Sequence, residues 1–240
     1  MKRQLYVFWT GDNPLTENRQ RSLDHMSNTG LEPVLVTGRN LHEFVPAESL
    51  HPAYPHLNLA HRADYLRCYF MKHHGGGYSD LKYNGASWTD AFDALESDAN
   101  AWAAGYREVS PRGVADIYLS SRQLKEGLSA NVRAQLQWRY LQWHYKTLIG
   151  TCAFIFKPNT PLVDAWWDGL NQRLDALYPK LSKHPAKHPK ELPGAIYDGE
   201  RSRYPVPWTH VLGDILHPLI HQHRAHIRYD LPNPDFSNYA

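Results

Sequence analysis

Short apolar runs closed by turn residues punctuate the first part of the chain. LYVFW (Leu5–Trp9) is apolar throughout and is stopped by TGDNP, which predicts a buried strand feeding a loop. Thr16 then predicts the N-cap of a helix running to about Ser27, ended by NTG. EPVLVTG (32–38) predicts a second strand, and NLHEFV a single helical turn. A strand, a helix and a strand of these lengths predict a right-handed crossover in an α/β sheet.

The period then lengthens. Leu59, Ala63, Leu66 and Phe70 recur at helical spacing, which predicts a helix over 57–74. Gly75 follows, suited to a positive φ just past a helix end. GYSD then turns into an extended segment, so Asp80 falls at or just after a strand end, the edge at which open α/β sheets bind ligands.

TDAFDALES predicts a short helix capped by Thr89, and NAWAAGYREV a strand. Residues 123–147 predict one or two helices broken near Gly127, and GTCAFIFKP (150–158) a buried strand. Thr160 and Pro161 open a helix as N-cap and N1. A helix from about Thr209, breaking before Pro218, and an edge strand in AHIRYDLP complete the pattern. With no internal repeat, residues 1–240 read as a single α/β domain.

Composition narrows the function classes. The net charge is +2 with 15 His, which gives no strong field for nucleic acid or an anionic membrane. The basic stretch KLSKHPAKHPKELP (180–193), with four Lys and three Pro, reads as an extended surface loop. The two cysteines, Cys68 and Cys152, show no metal spacing and no disulfide framework, so a reducing, cytoplasmic setting is expected. The first apolar run is too short for a signal peptide, and no run approaches about 18 apolar residues, so no transmembrane segment is predicted. Eight Trp and 15 Tyr suit a cleft with apolar walls and a wet rim.

The chemistry concentrates in HRADYLRCYFMKHHGGGYSDLK. Ala63, Asp64 and Arg67, then Gly76, Gly77, Tyr78 and Asp80, stand in a fixed order. This segment resembles the core of the glycosyltransferases that include the DxD-containing sugar-binding (family 32-like) and capsular polysaccharide synthesis proteins. Their pattern ends in Gly-Gly-x-Tyr/Trp-x-Asp-x-Asp, on which Tyr78 stands one place early after Gly76 and Gly77. The opening LYVFWTGDNP and the later GTCAFIFKPNTPLVDAWW are similar to that family's first strand and late strand–helix unit. The resemblance is close over 60–82 and loose over 5–170. It implies a GT-A fold (Rossmann-like, nucleotide-diphospho-sugar transferase), a nucleotide-sugar donor, a UDP-sugar by analogy, and a glycan or lipid-linked acceptor. By analogy it also implies retention of configuration.

In such a transfer, charge develops on the departing diphosphate and must be met by a divalent ion or by fixed cations. The resemblance makes Asp80, Asp64 and Arg67 the catalytic set. It assigns Phe8, Trp9, Thr10 and Gly11 to the loop under the nucleotide base, with Gly76, Gly77, Tyr78 and Lys82 about the donor. The departure is Lys82, where the pattern has a second acid. Either Asp80 still holds Mn²⁺ or Mg²⁺, with weakened affinity, or the Lys82 ammonium takes over part of the ion's charge. Residues i and i+2 of an extended segment share a face, so both side chains can reach one ligand. Further metal ligands are expected from His210, in a His-x-x-Gly element, and from His217, placed at a helix end. Two alternatives stay open: a nucleotide-sugar or glycan-binding module with a lapsed site, and an inverting transferase with Asp198 or Asp214 as base. A metal-dependent hydrolase has little support, since no HExxH motif is present.

Overall fold

The computed structural model describes residues 1–236 of the chain. In chain order its main elements are β1 (Leu5–Trp9), α1 (Glu17–Asp24), β2 (Pro33–Thr37), α2 (Leu59–His73), β3 (Gly76–Ser79), α3 (Thr89–Ser97) and β4 (Ala103–Arg107). Then come α4 (Ile117–Leu124), α5 (Leu128–Trp143), β5 (Ile149–Phe156), α6 (Pro161–Leu181) and the two-residue strands β6 (Ile196–Tyr197) and β7 (Glu200–Arg201). The helix α7 (Gly213–Gln222) and the strand β8 (Ile227–Arg228) follow. The expected alternation of strands and helices is present. No helix among the described residues is long and apolar enough to cross a membrane.

One mixed sheet, ordered β2-β1-β3-β5-β4-β8, forms the centre. β1 pairs in parallel with β2 and β3, and β4 with β8, whereas β5 lies antiparallel between β3 and β4. β5 is therefore the one strand of this sheet that runs against the others. Its start meets the ends of β1, β2 and β3 along a single edge, and the candidate site lies there.

Both faces of the sheet are covered, which is why its strands read as unbroken apolar runs. Along β1 the side chains alternate between two cores. Tyr6 and Phe8 join Phe70, Tyr78, Phe154 and Trp166 on one face. Leu5 and Val7 join Trp88, Phe92, Ala104 and Ile155 on the other.

Several local expectations hold. Thr16 caps α1 and Thr160 caps α6 through their side chains. Gly75 leaves α2 with φ +64°. The break near Gly127 separates α4 from α5.

Others are corrected. The first helix is α-helical only to Asp24 and continues to Thr29 as a tighter 3-10 turn. Thr89 does not cap α3; it is the first helical residue, and its N–H bonds to the Ser87 hydroxyl. Pro218 does not end its helix, which starts at Gly213 rather than Thr209 and contains the proline. A proline there deprives the carbonyl four residues earlier of its helical donor. That carbonyl belongs to Asp214, and it accepts a hydrogen bond of 3.2 Å from Arg173 Nη2. The basic loop is also less free than its charge suggests. The Glu191 carboxylate, buried beneath it, accepts from the N–H groups of Lys187 and His188 and from the Ser202 hydroxyl.

Candidate functional site

Asp80 follows β3 directly, and its N–H bonds to the Cys152 carbonyl of β5 at 2.8 Å. Its side chain gathers three partners. Tyr78 Oη donates to Oδ1 at 2.6 Å, and Arg67 Nη2 donates to the same oxygen at 2.9 Å. Lys82 Nζ stands 3.6 Å from Oδ2. The helix α2 supplies Arg67, whose other terminal nitrogen bonds to the Thr151 carbonyl at 3.2 Å. The guanidinium also lies over the Tyr78 ring, 4.5 Å from its centroid. Asp64, one turn earlier on α2, stands 3.5 Å from Arg67.

The electrostatics differ sharply between the two acids. Burial alone would raise Asp80, but Arg67, Lys82 and the Tyr78 hydroxyl together outweigh it and hold the carboxyl below its ordinary value. Asp64 lacks such support. Burial pushes it up to about 7, against the pull of Arg67 and with the help of the Asp80 charge. The site is thus a carboxylate held by two cations, beside a second acid that is half protonated near neutrality.

Lys82 is only 2% exposed. Its ammonium donates to Cys152 Sγ at 3.0 Å and lies 4.7 Å from the centroid of the Phe236 ring. Glu108, at the end of β4, is buried nearby; burial raises its carboxyl, while backbone N–H groups and Lys82 oppose the shift. Cys152, Glu108 and Phe236 were not legible as site residues. They come from β5, the end of β4 and the last described residues, and the antiparallel insertion of β5 brings the first two together.

The glycines before Asp80 are required by the chain itself. Gly76 has φ +101°, and a Cβ there would lie 2.9 Å from the Gln4 carbonyl oxygen. A Cβ on Gly77 would press on Trp88 at 3.2 Å. Phe8 is likewise core: its ring stacks on Tyr78 at 5.2 Å and so props the hydroxyl that holds Asp80.

The loop after β1 does line a cleft. Trp9, Gly11, Asp12, Asn13 and Pro14 face Thr37 and Arg39 across about 470 Å³. Trp9 is fixed there by a 2.6 Å bond from its indole N–H to the Asn13 carbonyl, and Thr10 by a 2.7 Å bond to the Leu59 carbonyl at the start of α2.

The two histidines sit elsewhere. His217 is buried inside α7 rather than at a helix end facing a cleft, and its Nδ1 accepts from the Ala115 N–H at 3.0 Å. Burial lowers it to about 4, so the ring is neutral. His210 is also buried; its Nδ1 accepts from Arg173 at 3.1 Å and lies 3.7 Å from Asp214. Among the described residues no three His, Cys, Asp or Glu side chains converge as a metal-holding group. To reach Asp80, a divalent ion would have to displace the Arg67 and Lys82 cations, so the donor set as arranged does not suit one. The two alternative bases lie on other elements. Asp198 is exposed on the turn between β6 and β7, and Asp214 is 3% exposed against Arg173.

A third buried histidine orders the α2 side of the site. His61 Nδ1 accepts from the Tyr204 hydroxyl at 2.7 Å, and Nε2 donates to the Trp208 carbonyl at 3.1 Å. Tyr204 Oη in turn accepts from the Asn58 N–H at the cap of α2. These bonds anchor the 204–208 segment one turn before Asp64.

Neither a protein-family model nor a curated protein matches the sequence. The fold defines a mixed α/β protein with a largely parallel central sheet, and what the site does must be argued from its own geometry.

Proposed function

We propose that this protein is a glycosyltransferase that moves a sugar from a UDP-sugar to a glycan or lipid-linked acceptor, with retention of configuration. The observation that carries this reading is the Asp80 carboxylate at the C-terminal end of β3, held by Arg67 and Lys82. That edge is where an α/β sheet receives a nucleotide.

In this reading the nucleoside occupies the cleft at the ends of β1 and β2, where Asp12, Asn13, Thr37 and Arg39 offer polar groups. Asp80 and Asp64 orient the sugar through its hydroxyls. Arg67 and Lys82 supply the positive charge that the departing diphosphate requires, in place of an ion held by two acids. Stabilising that leaving group is the main demand of a retaining transfer, which needs no carboxylate base in line with the acceptor. For the diphosphate to reach Lys82, Phe236 must move off the ammonium.

The Lys82 substitution and its burial also favour a second reading, a nucleotide-sugar-binding module without turnover. A thermal-shift panel of UDP-, GDP-, dTDP- and CMP-sugars, with Mn²⁺ or with EDTA, followed by product analysis, separates the two. A shift with UDP-sugar plus transfer in EDTA supports the transferase with lysine in the metal's place. A shift without turnover supports the binding module. If no nucleotide sugar shifts the melting temperature and none is consumed, both readings fail.

A further inference from the structure

The helix α5 has two apolar faces, and only one is packed. Ala134 and Leu141 are buried, with Trp138 partly buried beside them. The opposite face presents Leu128 (82% exposed), Leu136 (67%) and Trp143 (85%), together with the half-exposed Val132 and, at its margin, the half-exposed Tyr140, whose ring also touches His144 and His221. At 100° per residue these five side chains fall within an arc of about 120°, along about 22 Å of helix. Leu119, on the neighbouring α4, is exposed as well. One exposed leucine is ordinary. An aligned row of five large apolar residues is a docking surface.

Charge identifies the partner. The whole chain carries only +2, yet residues 111–147 hold six Arg or Lys against two acids. The basic residues Arg122, Lys125, Arg133, Arg139 and Lys146 are all exposed. α5 itself contains Arg133 and Arg139 and no acid. The modest net charge of the chain therefore conceals a local basic surface centred on this helix.

We propose that the outward face of α5 binds an anionic lipid bilayer, with the helix lying in the plane of the interface. Leucine and valine enter the acyl boundary, and Tyr140 and Trp143 take the headgroup level that aromatic side chains with a polar handle prefer. The flanking Arg and Lys reach anionic headgroups, their aliphatic stems lying along the apolar surface. Such a contact places the protein on a membrane without any spanning segment. It does not rest on the proposed transfer activity, because vesicle binding is measured without donor or acceptor.

The test is co-sedimentation of the full chain with phosphatidylcholine vesicles, with and without about one-third phosphatidylglycerol, at low and high salt. The expected result is binding to the anionic vesicles, at least about ten-fold weaker on phosphatidylcholine alone and weakened by salt. The double substitution Leu136→Ser with Trp143→Ser should reduce that binding roughly ten-fold or more. Arg133→Gln with Arg139→Gln should weaken it by a similar factor and flatten the salt dependence. All four positions are exposed, so the variants should keep the wild-type melting curve; if one pair does not fold, the other still decides. No binding, equal binding to both vesicle types, or binding unchanged in a folded variant overturns the proposal. So does a concentration-dependent dimer that Leu136→Ser abolishes, which would assign the face to a second copy of the chain.

Discussion

Lys82 Nζ stands 3.6 Å from Asp80 Oδ2, with a single leucine between the two residues. The Lys82 N–H also bonds back to the Asp80 carbonyl at 2.7 Å, so the turn after β3 delivers the ammonium to the carboxylate. The lysine thus occupies the position of the second acid in the resembling pattern, and it pairs with the first.

Lys82→Asp is expected to replace this internal cation with a demand for an external one. Under the proposed function, transfer in EDTA should be lost in the variant and Mn²⁺ should restore it, whereas the wild type should transfer under both conditions. Rates with Mn²⁺ and with EDTA check this. A variant equally active under both conditions would remove Lys82 from the donor site.

Asp80→Asn is expected to lower turnover by at least about 100-fold, and it should also weaken the fold. Arg67 and Lys82 would be left buried without their counter-charge, at a cost of about 3 kcal/mol. Adding Lys82→Met should recover part of that stability without recovering activity. Denaturant melts of the two single variants and the double variant read the coupling directly.

Asp64 gives the site a pH signature. Its folded-state value, about 7, lies above the unfolded value, so the folded protein holds the extra proton. Its contribution to stability is full below about pH 4 and is lost as pH rises through 7. Asp64→Asn should therefore come close to the wild-type melting temperature near pH 4 and exceed it increasingly as pH rises, by roughly 5 °C or more at pH 8.5. Melting curves across that range check it, and an advantage that is constant with pH would show that Asp64 does not titrate there.

Arg173 joins α6 to α7. It reaches the Asp214 carbonyl that Pro218 leaves without a helical donor, and it stands 3.8 Å from the buried Asp214 carboxylate. Arg173→Met is expected to cost about 3–5 kcal/mol. The loss should shrink at low pH, as the buried Asp214, deprived of that cation in the variant, takes up a proton. Denaturation midpoints at pH 3.5 and pH 7 measure it.

What the sequence disclosed depends on how local each signal is. β1, β2 and α2 were legible because periodicity, caps and glycine stops act over a few residues. Asp64, Arg67 and Asp80 were legible as a group for the same reason, since α2 and the turn after it set their spacing. The direction of β5 was not legible, because an apolar run reads the same in either orientation. Cys152 and Glu108 went unnoticed with it, being brought to Lys82 only by that pairing. The proline in α7 misled because its compensation, Arg173, lies 45 residues earlier. That Phe8 packs in the core against Tyr78 was not legible either, because a strand-end aromatic can face core or cleft.

The strand order also bears on how the chain acquires its shape. The sheet joins residues 5–6 to 77–78, residues 76–79 to 153–156, and residues 103–104 to 227–228. None of these closures is local, so folding should be slow for a chain of this length. On the ribosome, β3 lacks its second neighbour until residue 156 has emerged, and the edge beside β4 stays open until residue 228. Lys82 gains the Cys152 sulfur only with β5 and the Phe236 ring only after residue 228, so this charge is buried among the last steps of assembly.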